Sequence, residues 1–249
     1  MTPAAPILAV IAKEAQLHRR DPAVLVLLFV APLLLIVFLS KALAGSSRVA
    51  PYDASVPGFT AMFALFGAGL TAMGFHRERM WGTWQRSLSL PVRRRDVVLG
   101  KAVPVVGIVA VQGTVLLFGG ALAFGIPVER PLVVALATVL VGGAAVGLGV
   151  LVAAVTSTDQ QIQQLTNVLV LLLGLIGGAM APLSTMPGWV QAIAPASPDY
   201  WAVDLFSGAM AAGAPPSRLL ADAAVLALFT AVLVTLGAPR IHRPRASSD

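Results

Sequence analysis

The side chains able to do chemistry on a partner gather in one segment of this chain, His76 to Lys101. Met80, Trp81, Trp84 and Leu88 fall at i, i+1, i+4 and i+8, which aligns them as one apolar stripe of a helix. Around the stripe stand His76, Arg77, Glu78, Arg79 and Arg86. That mixture suits docking, with rigid aromatic area for affinity and charges for direction. Pro91 ends the pattern, Arg93-Arg94-Arg95 follow, and Asp96 is placed to cap the next helix. Catalysis finds no such footing. The histidines, His18, His76 and His242, are scattered, no Ser-His or metal-ligand cluster accompanies them, and Cys is absent. Gly100-Lys101 is not the end of a phosphate-binding loop, because Ala102 follows it and Arg95 stands where the first glycine belongs. If ATP is used, its hydrolysis belongs to another chain.

The elements that must position this segment are six apolar runs, each roughly long enough to cross a bilayer: about Ala23 to Ser40, Pro57 to Phe75, Ala102 to Gly125, Leu132 to Val155, Leu165 to Pro182 and Leu219 to Ala238. The first five contain no Asp, Glu, Lys, Arg or His, and the sixth only Asp222 near its start. Composition agrees, with 57% hydrophobic and 11% charged residues and a mean hydropathy of +0.86. An all-α integral membrane protein is expected. The net charge of +6 would suggest nucleic acid in a soluble chain. Here the basic residues sit between the apolar runs, so they report topology and anionic lipid instead.

Thirteen Lys and Arg fall in the N-terminal segment, the loop between the second and third runs and the C-terminal segment; the remaining four, Lys41, Arg48, Arg130 and Arg218, fall in the alternate loops. The positive-inside rule therefore places both termini and the His76 to Lys101 loop in the cytoplasm. Residues 1–22 interleave Ile7, Leu8, Ile11 and Leu17 with Lys13, Glu14, Gln16, His18, Arg19 and Arg20, and Asp21-Pro22 stops them just before the first run. They are expected to form an amphipathic helix lying on the membrane surface.

Two further patterns concern packing. Gln160, Gln164 and Asn167 share one helix face that lipid would penalise and a protein seam or polar cavity would accept. Gly143 and Gly147, like Gly174 and Gly178, have the spacing at which helices approach closely. The segment Pro182 to Pro198 is too short and too broken to span, and with Trp189, Val190 and Ile193 it suits a re-entrant hairpin or an interfacial loop.

These residues resemble a family. Arg77-Glu78-Arg79-Met80-Trp81-Gly82-Thr83-Trp84, then Ser87-Leu88-Ser89-Leu90-Pro91-Val92, Arg95-Asp96 and Leu99-Gly100-Lys101, are similar to the first cytoplasmic loop of type-2 ABC transporter permeases. Pro182-Leu183, Met186-Pro187-Gly188-Trp189, Ala194-Pro195, Pro198 and Tyr200-Trp201-Ala202-Val203-Asp204 resemble that family's external hairpin. Trp84 stands where the family more often has an aliphatic residue. The resemblance covers essentially the whole chain.

The resemblance implies a single permease domain over residues 1–249, with an amphipathic elbow at 1–22, a cytoplasmic coupling loop at 76–101, an external hairpin at 182–218 and six transmembrane helices. It implies an ATP-driven exporter in the plasma (inner) membrane, built from two permease subunits, identical or similar, and two copies of an ATP-binding cassette subunit. ATP and magnesium would bind that partner, and this chain would hold no cofactor or metal. Glu78, Arg79, Trp81, Trp84, Arg86 and Leu88 would contact the ATPase. Phe59, Met62, Phe63, Phe66, Gln164 and Asn167 would line the substrate cavity, and Pro187 and Trp189 would form an external gate. No catalytic residue is expected. Export is favoured, since no large external segment is available to capture a solute, and an amphiphilic or hydrophobic drug or antibiotic is the expected cargo. A lipid or lipid-linked glycan is the alternative. An ion-coupled secondary carrier is disfavoured by the lack of intramembrane carboxylates.

Overall fold

The structure, a computed structural model, describes residues 11–13, 16, 22–43, 51–80, 94–211 and 213–241. Among the described residues every regular element is helical: α1 (Pro22–Leu43), α2 (Pro51–Leu65), α3 (Gly67–Met80), α4 (Arg94–Phe124), α5 (Pro131–Val155), α6 (Asp159–Ile176), α7 (Gly188–Ile193), α8 (Pro198–Met210) and α9 (Pro216–Ile241). Short 3-10 turns at Leu183–Thr185 and Ala194–Ala196 flank α7. Four stretches are long and apolar enough to cross a membrane: Ser55–Glu78, Leu99–Phe124, Pro131–Val155 and Pro216–Pro239. They match the second, third, fourth and sixth runs. The first run falls on α1, whose described apolar stretch Leu28–Phe38 is shorter, and the fifth on α6.

The centre of the bundle is α5, which packs most extensively on α9 and also on α2, α3, α4 and α8. A helix buried on several sides needs small residues on each of them. A β-carbon added at Gly149 would lie 2.4 Å from Ala68 O of α3. At Gly142 it would lie 3.2 Å from the Val106 Cα of α4, and at Gly147 3.1 Å from Leu233 Cβ of α9. Gly143 likewise faces Thr230 of α9, so the expected Gly143/Gly147 pair is a helix-packing face.

Two breaks shape the remaining helices. Pro32 lies inside α1 and has no N–H for the Leu28 carbonyl one turn back, which its ring also pushes aside. Gln112 of α4, fully buried, donates from Nε2 to Leu28 O at 2.7 Å and supplies the missing bond. Between α2 and α3 the spanning stretch is interrupted at Phe66, where the bonding tightens to Phe66 N to Phe63 O (3.2 Å) and Gly69 N to Phe66 O (3.0 Å). Gly67 then lets α3 close on α4, since a β-carbon there would meet Val109 Cγ2 at 2.7 Å.

Three sequence expectations need correction. Asp96 does not cap α4, which is already helical at Arg94. The fifth helix takes in the polar face from Gln160, starting at Asp159, where Thr158 Oγ1 accepts from Gln161 N, but it stops at Ile176 instead of running to Pro182. The stop is a glycine cap in which Gly178 takes φ +84°, Ala179 N donates to Gly174 O (2.9 Å) and Gly178 N to Leu175 O (3.4 Å). Gly178 therefore lies past the helix end and does not form a packing pair with Gly174.

Candidate functional site

Charged residues collect at two opposite ends of the bundle, and the candidate sites follow that division. At one end α3 finishes beside the start of α4. Glu78, buried, accepts through Oε1 from Lys13 Nζ and Lys101 Nζ, both at 3.1 Å. Lys101, also buried, donates to Gly74 O at 3.0 Å, and its ammonium lies 5.3 Å from the Phe75 ring centre. Several ligands around each ion are what make a buried pair tolerable. His76 Nε2 lies 3.0 Å from Asp159 Oδ1, tying α3 to the first residue of α6. The N-terminal segment, α3, α4 and α6 are thus fastened together at the root of the expected coupling loop.

Of the residues expected to meet an ATPase, Glu78 turns inward into this network. Trp81, Trp84, Arg86 and Leu88 lie outside the described residues, as does the side chain of Arg79. Most of the expected elbow at residues 1–22 also lies outside them; Ile11 to Lys13 and Gln16 are helical.

The expected cavity residues divide by depth. Phe59 and Met62 are fully buried inside the bundle, Met62 against Gly174 of α6. Phe63 and Phe66 are half-buried, their ring centres 5.4 Å apart and tilted by 40°. Gln164 and Asn167 are exposed, as is Gln160. Their exposure follows from the helix period, because Ile162, Thr166, Val170 and Gly174 recur every fourth residue and form the buried stripe of α6. The outward face continues through Val168, Leu171 and Leu175, polar in its first half and aliphatic in its second.

At the other end α7 and α8 follow one another through a 3-10 turn as a pair of helical arms. The first arm is superficial: Pro187 is exposed and Trp189 is 68% exposed. The second arm, α8, is buried through Ala202, Leu205, Phe206, Ala209 and Met210. Ser197 anchors the start of α8, accepting from Asp199 N (3.2 Å) and donating to Leu173 O of α6 (2.9 Å). Trp201 Nε1 donates to Pro195 O at 2.9 Å. The far end of α8 receives Glu129 N at Met210 O (3.3 Å) and Arg130 N at Ala209 O (3.2 Å), and Arg218 grips both carboxylate oxygens of Asp204.

Three contributors escaped the sequence reading. Gln112 stood inside an apolar run, Lys101 was read for topology and as part of the loop motif but not as a buried ion-pair partner, and Asp199 was passed over inside the hairpin. The lone glutamine opposite a proline-containing run was the one available signal.

Long apolar helices, a bundle with ionic ends and a small-residue centre define a polytopic helical membrane protein. Residues 6–211 match the family model described as ABC-2 type transporter, and the chain belongs to that family. It is 32% identical over 138 residues to the probable multidrug ABC transporter permease YbhR of Escherichia coli K12, a match covering 55% of this chain and 38% of that protein. It is 28% identical over 184 residues to the linearmycin resistance permease protein LnrN of Bacillus subtilis, covering 72% of this chain and 47% of the relative. The ABC transporter G family member 20 of Dictyostelium discoideum is 27% identical over 139 residues, 55% of this chain and 19% of that one. The chain thus spans less than half the length of the curated relatives it matches.

Proposed function

We propose that this chain is the transmembrane permease subunit of an ATP-driven exporter that moves an amphiphilic or hydrophobic compound, of the drug or antibiotic class, out of the cell. The family match over residues 6–211 carries this reading. Relatives named for multidrug transport and linearmycin resistance favour that cargo class. In this reading α1 and α6 complete six spans, both termini are cytoplasmic in the plasma (inner) membrane, and an ATP-binding cassette chain binds ATP and magnesium below.

Two permease subunits would meet along α2 and α6, with a cassette subunit under each. The exposed polar half of α6, with Gln160, Gln164 and Asn167, suits such a seam because hydrocarbon offers amides no partner. Phe63 and Phe66 would supply the apolar wall, with Phe59 and Met62 backing it from the core. Loop 76–101 would couple the cassette to the spans, Arg79, Trp81, Trp84, Arg86 and Leu88 docking on it and the Glu78 network transmitting its displacement to α3, α4 and α6. Pro187 and Trp189 would gate the outer exit.

The test is reconstitution of the chain with its cassette ATPase in proteoliposomes. Amphiphilic drugs should stimulate hydrolysis and be transported in an ATP-dependent manner. Hydrolysis indifferent to every such compound, with a lipid or lipid-linked glycan moved instead, would reassign the cargo.

A further inference from the structure

Asp199 sits where the hairpin meets the bundle, outside the four membrane-crossing stretches. It is the second residue of α8, fully buried, and neither carboxyl oxygen has a hydrogen-bond partner. Ser197 fixes its position by bonding both to its N–H and to the last turn of α6. The surroundings are tight. A β-carbon at Gly174 would lie 3.2 Å from Asp199 Oδ2 and 2.6 Å from Met62 Cγ, and one at Gly177 would lie 2.8 Å from Asp199 Cβ. Next to this wedge the cap that ends α6 touches α2 directly, since a β-carbon at Gly58 would lie 2.2 Å from Ala179 O.

A carboxylate placed there has lost its water and gained no donor, which strongly disfavours the charged form. A hydrated cation has no room in a site where even one added carbon collides. The proton is the ligand small enough to fit.

We propose that Asp199 is a proton-binding latch of the hairpin: protonated while wedged between α2 and α6, and ionised in water once the hairpin lifts away, so that opening releases a proton on the hairpin's side of the membrane. The proton leaves the carboxyl for water and no other bond changes. Burial alone pushes this carboxyl up to about 8. Among the described residues no charge contributes to that shift. On α2 the ionisable residues are Tyr52 and Asp53, about 14 Å along the axis from Met62, and on α6 Asp159 lies about 22 Å from Gly174. On the hairpin and α9 stand Tyr200, next in the chain, and Asp204 with Arg218 and Asp222; α5 has no ionisable residue.

The sign follows from linkage. The closed form holds its proton more tightly than the open form, whose carboxyl titrates in the ordinary range near 4. Closure is fully favoured below that range, and its advantage is lost as pH rises to about 8. Alkaline medium outside should therefore open the hairpin.

The latch rests on the orientation given under Proposed function, and the experiment separates the two. The chain has no Cys, so Ala202→Cys, buried on α8, and Trp189→Cys, exposed, are each labelled in the full complex in right-side-out vesicles. A membrane-impermeant maleimide is added from outside between about pH 5 and 9, and the ratio of the two rates removes the pH dependence of the thiol itself. The ratio should climb with pH, by at most about tenfold per unit, and level off near pH 8. Asp199→Asn, and equally Asp199→Leu, should flatten it. A flat ratio in the chain that retains Asp199 overturns the latch whether or not either variant assembles. An unchanged slope in an assembled variant overturns it too. Trp189→Cys labelled from the inner side alone overturns the orientation, and with it the response to external pH.

Discussion

Gln112→Leu should weaken the bundle only because Pro32 is where it is. In the native chain Gln112 Nε2 donates to Leu28 O at 2.7 Å, filling the bond that Pro32 cannot make. Leucine keeps the volume and removes the donor, leaving a carbonyl unpaired at apolar depth. An unsatisfied buried acceptor costs about 1–3 kcal/mol, whereas side-chain hydrogen bonds between membrane helices average about 0.6 kcal/mol and reach about 1.7. Leucine also removes Gln112 Oε1, which is buried without a partner, and this offsets part of the loss. The expected cost is about 1 kcal/mol. In a Pro32→Ala background the residue at 32 has its own N–H for Leu28 O, so Gln112→Leu should be neutral or stabilising. Equilibrium unfolding of the four proteins in mixed micelles, treated as a double-mutant cycle, measures the difference, expected to be about 1 kcal/mol. An equal cost of Gln112→Leu in both backgrounds would show that the glutamine does not serve the proline break.

Other perturbations test packing and the proposed machinery. Gly149→Ala places a carbon 2.4 Å from the Ala68 carbonyl oxygen, a backbone atom that cannot swing aside, and should destabilise by about 1–3 kcal/mol. Gly107→Ala meets no atom within 4 Å and should be neutral or gain up to about 1 kcal/mol; thermal unfolding should fall for Gly149→Ala and hold or rise for Gly107→Ala, and equal losses would refute the packing described for α5. Trp81→Ala with Trp84→Ala should weaken cassette association or uncouple hydrolysis from transport while the spans remain inserted; wild-type complex formation together with wild-type transport would remove these residues from the coupling surface. Phe63→Cys and Asn167→Cys should each cross-link between subunits or be protected by substrate, and labelling of both by lipid-phase probes without either effect would place them against the bilayer.

Much of the architecture was legible because it depends on local pattern. Apolar runs and the 3.6-residue period mark the helices, and the outward face of Gln160, Gln164 and Asn167 follows from the same period. The Gly143/Gly147 face was readable from spacing alone, since close approach needs small residues whatever the neighbour. The boundaries of α6 were harder. Gly177-Gly178 could extend an apolar run or end a helix, and only the positive φ at Gly178 decides between them.

The sequence by itself determined that this is a helical membrane protein of the ABC-2 type transporter family, because hydropathy and short motifs are properties of neighbouring residues. The tertiary structure alone decided that Glu78 faces Lys13 and Lys101, that Gln112 completes a bond for α1, and that Asp199 is sealed without a partner between α2 and α6. Each depends on groups far apart in the chain, Lys13 with Glu78 or Gln112 with Leu28. A polar group's burial and partner are set by the helix that packs over it, which no local pattern specifies.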